Sequence, residues 1–425
     1  MSAITLGTNV FRNRRTAIVF KDADRGRHMY MLGKTGVGKS TLFQNMFLQD
    51  IANGRGACLI DPHGESVAWL LERIPVNRQE DVILFDPSDV VASVGLNLLD
   101  AVDESERDFL VAQLIEIFYK LFDPDHTGII GPQFEHWLRC AALTVMAGPG
   151  GGTLLEIPKL FIDQKFLENK RRYLRDQTVI DFWSKQMATT AEFHKSEMLN
   201  YFTSKFGHFL NTALMRNIMG QRHSALNFDE ILRTQKILLV DLSKGKIGET
   251  NAYMLGLILI AKLQSAIMRR ASVPVEERPP FYLYVDEFQN VITDTFASLL
   301  SESRKYGLAV HLTNQYFAQL PLKMQNAILG NVGTLLAFQI GVDDAERLER
   351  EFFPVTKEDM VNLPRHHFYV KLMLDGRMSE AFSGLSHPPL EVTKIGQAAF
   401  LRTLTRLAYA RPTPLVEEEV RRVLR

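Results

Sequence analysis

The chain has 425 residues, of which 46% are hydrophobic and 23% are charged, as in a globular protein with a substantial core. The 49 basic residues balance 49 acidic residues, so the net charge excludes a strongly basic nucleic-acid binder, although a local basic channel fits this balance. Two cysteines, Cys58 and Cys140, lack a metal-ligand spacing and indicate a reducing compartment.

Short apolar runs alternate with helical patterns over residues 1–100. The runs TAIVF, HMYML, GACLIDP and DVILFDP end in polar or turn residues, as strands do. Helical periodicity lies between three of them, at residues 40–52 and 64–74. This alternation is typical of βαβ units, so it predicts an α/β fold with a mainly parallel sheet.

The stretch MYMLGKTGVGKSTLFQNMFL, residues 29–48, contains a phosphate-binding motif. Its glycines, Lys39 and Ser40 fit the pattern G-x-x-x-x-G-K-[ST] between a strand and a helix, a context that disfavours a chance glycine-rich turn. Lys39 is predicted to reach the β- and γ-phosphates of ATP, and Ser40 to bind Mg²⁺. The predicted nucleotide-binding residues are Gly33, Lys34, Thr35, Gly36, Val37, Gly38, Lys39, Ser40 and Thr41.

The pattern changes near residue 101 and changes back near residue 231. Residues 101–230 carry apolar positions at three- and four-residue spacing, which predicts an all-α insertion domain. Over residues 231–390 strand and helix patterns alternate again, so this segment is predicted to complete the core that residues 1–100 begin. Residues 391–425 are predicted to form a C-terminal helical tail.

Two carboxylates follow the apolar run FYLYV in the second core segment. Asp286 and Glu287 would lie at the carboxyl end of a strand, where open α/β sheets bind their ligands. Asp286 suits an Mg²⁺ ligand and Glu287 suits a general base that activates water. The alternative is an Asp-Glu pair that caps a helix, which the phosphate-binding motif makes less attractive.

Further polar residues follow the neighbouring elements. Arg304, in SRKYG, suits an arginine finger that acts on another subunit's γ-phosphate, or else it is a solvated residue at a helix end. Gln315 ends the next strand and would sense γ-phosphate or position water, or else it is satisfied within a loop. Asp61 and His63 follow an earlier strand and would lie near the site. A turn built on Asp-Pro-His-Gly explains these residues equally well, so no metal is assigned to them.

No signal peptide or membrane span is expected within this sequence. The first 17 residues lack a long apolar core, and apolar stretches such as YMLGLILIAKL, near residues 253–263, are shorter than the roughly 20 residues of a span. We therefore predict a cytoplasmic protein that partners would recruit to the inner face of the membrane.

The motifs together resemble the HerA/FtsK superfamily of pumping ATPases. The motifs, in order, are GKTGVGKST, LIDPHGE, FDPSD…GLNLLD, ILLVDLSKGKIGE, YVDEFQN, SESRKYGLAVHLTNQY and GTLLAF, over residues 25–385. Within the superfamily the chain is most similar to the TraG/TraD-type coupling ATPases of conjugative type IV secretion. The resemblance implies a RecA-like core, a homohexamer, ATP and Mg²⁺ as ligands, Arg304 acting in trans and Gln315 as sensor.

The function predicted from this resemblance is ATP-driven DNA translocation through a ring pore. Basic groups at residues 170–172, 243–246 and 269–270 would contact DNA phosphates without sequence preference, or else they are solvated helix faces. Relaxase or secretion-channel proteins are the partners that the resemblance implies. Two alternatives remain, a secretion-system ATPase that drives protein transfer or assembly and an ATP-gated scaffold. A GTPase is disfavoured because no N-K-x-D motif is present.

Overall fold

The chain forms two compact units. The structure is a computed structural model that describes residues 3–11, 14–190, 192–293, 295–391 and 396–424. Unit 1 comprises Met1–Phe85, Phe228–Ser243 and Ala266–Thr405. Unit 2 comprises Asp86–Asn227, Lys244–Ser265 and Arg406–Arg425.

The strands of the described chain are mostly short and mostly buried. They are β1 Ala3–Phe11, β2 Arg14–Lys21, β3 Met29–Leu32, β4 Gly56–Asp61, β5 Val82–Phe85, β6 Ala92–Val94, β7 Ile237–Asp241, β8 Phe281–Val285, β9 Leu308–Asn314, β10 Thr334–Ala337, β11 His367–Lys371, β12 Met373–Leu374, β13 Arg377–Met378, β14 Phe382–Ser386 and β15 Ala410–Pro412.

The helices range from single turns to six turns. They are α1 Asp22–Arg25, α2 Lys39–Ala52, α3 Glu65–Leu71, α4 Glu104–Phe122, α5 Pro132–Met146, α6 Lys159–Ile162, α7 Gln164–Arg171, α8 Gln177–Asp181, α9 Met187–Thr189, α10 Glu192–Leu210, α11 Ala213–Met219, α12 Phe228–Arg233, α13 Lys244–Ile247, α14 Glu249–Arg269, α15 Phe296–Glu302, α16 Leu322–Asn331, α17 Val342–Leu348, α18 Lys357–Val361, α19 Gln397–Tyr409 and α20 Thr413–Leu424.

Unit 1 is built on one large mixed sheet. Within the described residues, eleven strands pair in the order β2-β1-β14-β11-β10-β3-β9-β8-β4-β7-β5. The strands from β10 to β5 run parallel, and every residue of β3, β4 and β8 is buried, as expected for strands covered on both faces. This confirms the predicted α/β fold with its mainly parallel sheet.

The other end of the sheet is antiparallel, which the sequence did not predict. The β1–β2 hairpin, β14 and β11 extend the sheet beyond β10. β2 is exposed over its first four residues, and buried and half-buried residues alternate along β11, so both have the pattern of strands with one solvated face. Because these strands come from opposite ends of the chain, their pairing is invisible to a local pattern.

A buried ion pair joins α1, α2 and β8 within unit 1. Arg25 Nη2 donates hydrogen bonds to Asp50 Oδ2 at 2.7 Å and to the Tyr284 hydroxyl at 3.0 Å, and the guanidinium lies 3.8 Å from the Tyr282 ring centre. Arg25 and Asp50 are both fully buried. Separating α2 from β8 would leave a buried charge without its partners, at a cost of several kcal/mol. The ion pair therefore stabilises the packing of α2 against β8.

In its described residues unit 2 is helical, with one short strand pair, β6 with β15. Between residues 101 and 230 the described chain contains helices and no strand, and Asp103 begins α4 by accepting a hydrogen bond from the Glu106 amide at 2.9 Å. An aromatic cluster fills the interior of this helical region. Its members include Phe118, Phe134, Trp137, Phe161, Phe182, Trp183, Phe202 and Phe206.

Unit 2 extends beyond the predicted insertion of residues 101–230. It also contains residues 86–100, Lys244–Ser265 and Arg406–Arg425, which the sequence analysis assigned to the first core segment, the second core segment and the tail, respectively. The physical reason is long-range pairing: the Ser265 hydroxyl donates to Glu106 Oε1 at 2.6 Å. In the same way α20 packs its apolar residues, Val416 and Val420, with Leu155.

One helix among the described residues, Glu249–Ser272, is long and apolar enough to cross a membrane. This corrects the expectation that every apolar stretch is too short. In the structure, however, 83% of its most apolar window is buried inside the protein, as is common for a core helix.

Candidate nucleotide site

The site lies in unit 1, where three neighbouring parallel strands end. In the register of β3 with β9, Leu32 pairs with Asn314, so the phosphate loop after β3 begins beside Gln315. In the register of β9 with β8, Leu312 pairs with Val285, so Thr313 lies beside Asp286. Strand pairing therefore brings together residues that are up to about 280 positions apart in the chain.

The phosphate loop runs from the end of β3 to the beginning of α2. Gly38 has φ +117°, a conformation that favours glycine, and a Cβ atom at Gly33 would lie 2.7 Å from Phe338 Cβ. Lys39 is buried, and its ammonium group donates to the carbonyls of Gly33 and Lys34, the latter at 2.9 Å. Burial lowers the pKa of Lys39, while the Glu287 and Asp286 carboxylates oppose that shift.

Asp286 follows β8 and is held on one side by β9. The Thr313 hydroxyl donates to its Oδ1 at 2.6 Å, and the Glu287 amide donates to the same oxygen at 3.0 Å. Burial raises the pKa of Asp286 from 3.8 to about 6, and the Asp61 and Glu287 carboxylates add to the rise. In this environment the ionised Asp286 carboxylate would be stabilised by a nearby cation.

Glu287 is a buried residue in the left-handed region, with φ +45°. Gln315 Nε2 donates to Glu287 Oε1 at 3.0 Å, and Gln289 Nε2 donates to Oε2 at 2.7 Å. Gln315 Oε1 in turn accepts a hydrogen bond from the Thr35 hydroxyl at 3.1 Å. The Glu287 carboxylate is therefore positioned by two amides, and one of them also contacts the phosphate loop. The left-handed backbone of Glu287 is strained, and backbone strain is frequent at active sites.

These residues surround one cavity of about 390 Å³. Of the predicted loop residues, Gly33, Lys34 and Val37 do not line it, and Gly33 and Val37 are buried. The lining residues are Thr35, Gly36, Gly38, Lys39, Ser40, Thr41, His63, Glu65, Asp286, Glu287, Gln315 and His366.

The donor set at this cavity fits Mg²⁺ bound together with a nucleotide. Among the described residues no cluster of three or more His, Cys, Asp or Glu side chains is able to hold a metal ion. The Ser40 hydroxyl and the Asp286 carboxylate are oxygen ligands of the type that Mg²⁺ prefers, and Mg²⁺ commonly takes its remaining ligands from phosphates and water.

Part of the chain matches a known family. Residues 280–350 match the model of the TraG-D_C family, described as the TraM recognition site of TraD and TraG. No curated protein sequence matches the chain.

Solved structures match nearly the whole chain. The unbound bacterial conjugative coupling protein TrwBΔN70 is 14% identical with a TM-score of 0.63, over 92% of this chain and 90% of that one. TrwB in complex with ADP and Mg²⁺ is 15% identical with a TM-score of 0.63, over 94% and 98%. VirB4 of Thermoanaerobacter pseudethanolicus is 16% identical with a TM-score of 0.59, over 91% and 96%.

The family match confirms the resemblance to TraG and TraD over residues 280–350, and the solved structures confirm the likeness in fold over nearly the whole chain. The fold is that of TrwB, a RecA-like P-loop NTPase fold.

Arg304 lies outside the cavity. It belongs to a helical turn after α15, its side chain is exposed, and it is not among the lining residues of the cavity.

Two of the basic residues expected to contact DNA are internal. Lys170 is buried and donates to the carbonyls of Val145 at 2.8 Å and Gly151 at 2.7 Å. Arg270 is buried and donates to the Leu232 carbonyl at 3.0 Å. These two residues therefore fit neither alternative, a contact with DNA phosphates or a solvated helix face, because their buried cations donate to backbone carbonyls. The fully exposed basic members of the three groups are Arg172 and Lys246.

Sequence reasoning missed four residues of the site, Glu65, Thr313, Gln289 and His366. Gln289 was detectable from its place two residues after Glu287, whereas Thr313 and His366 reach the site only through strand pairing. Asp61, which the sequence left open, accepts backbone hydrogen bonds at 2.8 Å from His63 and from Ser66. Asp61 therefore forms the predicted turn.

Proposed function

We propose that the protein is an ATPase that works as a hexameric DNA translocase of the coupling-protein or HerA type. The observation that supports this most directly is the single cavity shared by the phosphate loop, Asp286, Glu287 and Gln315. A phosphate loop alone supports only nucleotide binding, whereas a metal-binding acid and a positioned carboxylate beside it support hydrolysis.

The phosphate loop and three residues after the neighbouring strands have proposed roles in hydrolysis. Lys39 and the loop amides bind the phosphates of ATP, and Ser40 and Asp286 hold Mg²⁺, which supplies charge neutralisation when bound. Glu287 accepts the proton of the attacking water. Gln315 contacts both the loop and Glu287, so γ-phosphate bound on the loop would change its hydrogen bonds and reposition the base.

The subunit and partner assignments belong to the same proposal. Arg304, exposed and outside the cavity, would stabilise the γ-phosphate charge in the neighbouring subunit of a homohexamer. DNA would bind without sequence preference in the ring pore. Relaxase or secretion-channel proteins, and an accessory protein that contacts residues 280–350, are the proposed protein partners. We place the activity in the cytoplasm, at the inner face of the membrane when partners recruit it.

A second candidate is a secretion-system ATPase that drives protein transfer or assembly. The structural likeness to VirB4 favours it, because that match covers 91% of the chain, nearly as much as the 94% covered by the match to TrwB with ADP and Mg²⁺. It predicts turnover that a partner protein stimulates and DNA does not.

The test is ATP turnover of the purified protein with and without single- and double-stranded DNA, with mass photometry on the same samples. DNA-stimulated turnover by a six-subunit species is expected, and both Lys39→Ala and Glu287→Gln should abolish it. Glu287→Gln should still bind ATP, so a variant that supports biological function without hydrolysis would instead indicate an ATP-gated scaffold. A monomer without any response to DNA would contradict the translocase proposal.

A further inference from the structure

The order of the strands indicates how a nucleotide on the phosphate loop would be oriented. The loop follows β3, which has β9 and β8 on one side and β10 and β11 on the other. Glu287 and Gln315 come from the β8 and β9 side. If these residues act on the γ-phosphate, the triphosphate points toward them, and its nucleoside half extends toward β10 and β11.

His366 occupies that second side of the cavity. It immediately precedes β11, its side chain is exposed, and it lines the same cavity as Glu287 and Gln315. Its ring lies against the loop, since a Cβ atom at Gly38 would be 3.0 Å from His366 Nδ1.

The backbone of His366 is held in an uncommon conformation. Its φ is +67°, in the left-handed region that residues with a side chain rarely adopt. Its amide donates to the Val37 carbonyl of the loop at 2.8 Å, and its carbonyl accepts from the Ser386 amide in β14 at 2.9 Å. Two anchors on opposite sides therefore keep a strained residue at the rim of the cavity, a circumstance that is frequent at ligand sites.

We propose that His366 binds the nucleoside half of ATP. This inference rests on the proposed ATPase function and deepens it. An imidazole presents a flat face on which a base stacks, and ring nitrogens that hydrogen-bond to ribose or base. The adjoining loop supplies the phosphate contacts, so His366 contributes to affinity for nucleotides and adds little for a bare triphosphate.

The experiment compares the Kd of ATP with the Kd of inorganic triphosphate, both with Mg²⁺, by calorimetry. For His366→Ala we expect ATP to bind roughly tenfold more weakly, within the range for loss of one base stacked on an aromatic side chain. Binding of triphosphate should change less than about twofold, a difference below 0.5 kcal/mol. The control is His367→Ala. The neighbouring His367 does not line the cavity, and its Nδ1 lies within hydrogen-bond distance, 3.2 Å, of the Arg365 carbonyl.

His366→Gly is the second variant, because glycine adopts the positive φ without strain. It should weaken ATP binding roughly tenfold and triphosphate binding less than about twofold, even if His366→Ala unfolds. Equal weakening for ATP and triphosphate, or no weakening for either, would overturn the inference. A wild-type protein that binds neither ligand would instead refute the ATPase proposal itself.

Discussion

Asp286 should destabilise the metal-free protein near neutral pH, and Asp286→Asn should recover that stability. Burial raises the pKa of this carboxyl from 3.8 to about 6, with Asp61 and Glu287 adding to the rise. A rise of this size corresponds to about 3 kcal/mol. Because the folded state binds this proton more tightly than the unfolded chain, stability decreases as the pH rises from about 4 to about 6 and stays reduced above it.

The assay is thermal unfolding of the wild type and Asp286→Asn in EDTA between pH 4 and pH 8. Near pH 4 the two should unfold together, whereas at pH 7 the variant should gain up to about 3 kcal/mol, or roughly 6–10 °C in Tm. The same variant should lose ATP hydrolysis, since the acid that holds Mg²⁺ is absent. The control is Asp375→Asn, whose exposed partner Lys21 lies at 2.6 Å and which should change stability by less than about 1 kcal/mol.

A gain that did not depend on pH, or no gain at pH 7, would refute this reasoning. The first result would indicate an effect of packing, and the second would indicate that the protein solvates the Asp286 charge well.

Three further predictions concern the ion pair, the base and the exposed arginine. Asp50→Ala should cost about 3 kcal/mol in denaturant unfolding, because it removes the buried carboxylate closest to Arg25 and leaves Asp22, at 3.5 Å, as its acidic partner, and a loss below about 1 kcal/mol would contradict this. Gln289→Ala removes one of two amides from Glu287 and should lower kcat about tenfold with little change in KM, so a change in KM alone would argue against a positioning role. Arg304→Ala should lower kcat by about 10³ while the Kd for ATP stays unchanged, and a weakened Kd would show that Arg304 contacts the nucleotide of its own subunit.

The chemistry of the site was predictable where it depends on adjacent residues. The spacing of Gly33, Gly38, Lys39 and Ser40, and the run of buried residues before Asp286, are local patterns, so the sequence predicts the loop, the strand end and their shared cavity. The burial of Lys170 and Arg270 was not predictable, because carbonyls that are distant in the chain determine whether a basic side chain is internal.

The same distinction explains the fold. The parallel strands are continuous apolar runs and were predicted individually, and the βαβ rhythm gave their direction. The antiparallel end of the sheet joins residues 3–21 to residues 367–386. A periodic pattern within one segment does not indicate which distant segment it pairs with. His366 reaches the cavity because β11 pairs with β10 beside β3, and no local pattern of the sequence indicated that pairing.

The end of β9 imposes a rule on how this protein tolerates change. Thr313 lies in β9 and Gln315 is the first residue after it. The two are two positions apart, so both side chains reach the consecutive pair, Thr313 binding Asp286 and Gln315 binding Glu287. A single-residue insertion or deletion within β9 would present Asn314 to the cavity and turn both Thr313 and Gln315 away. Such a change should eliminate metal binding and water activation together, whereas point substitutions would separate them.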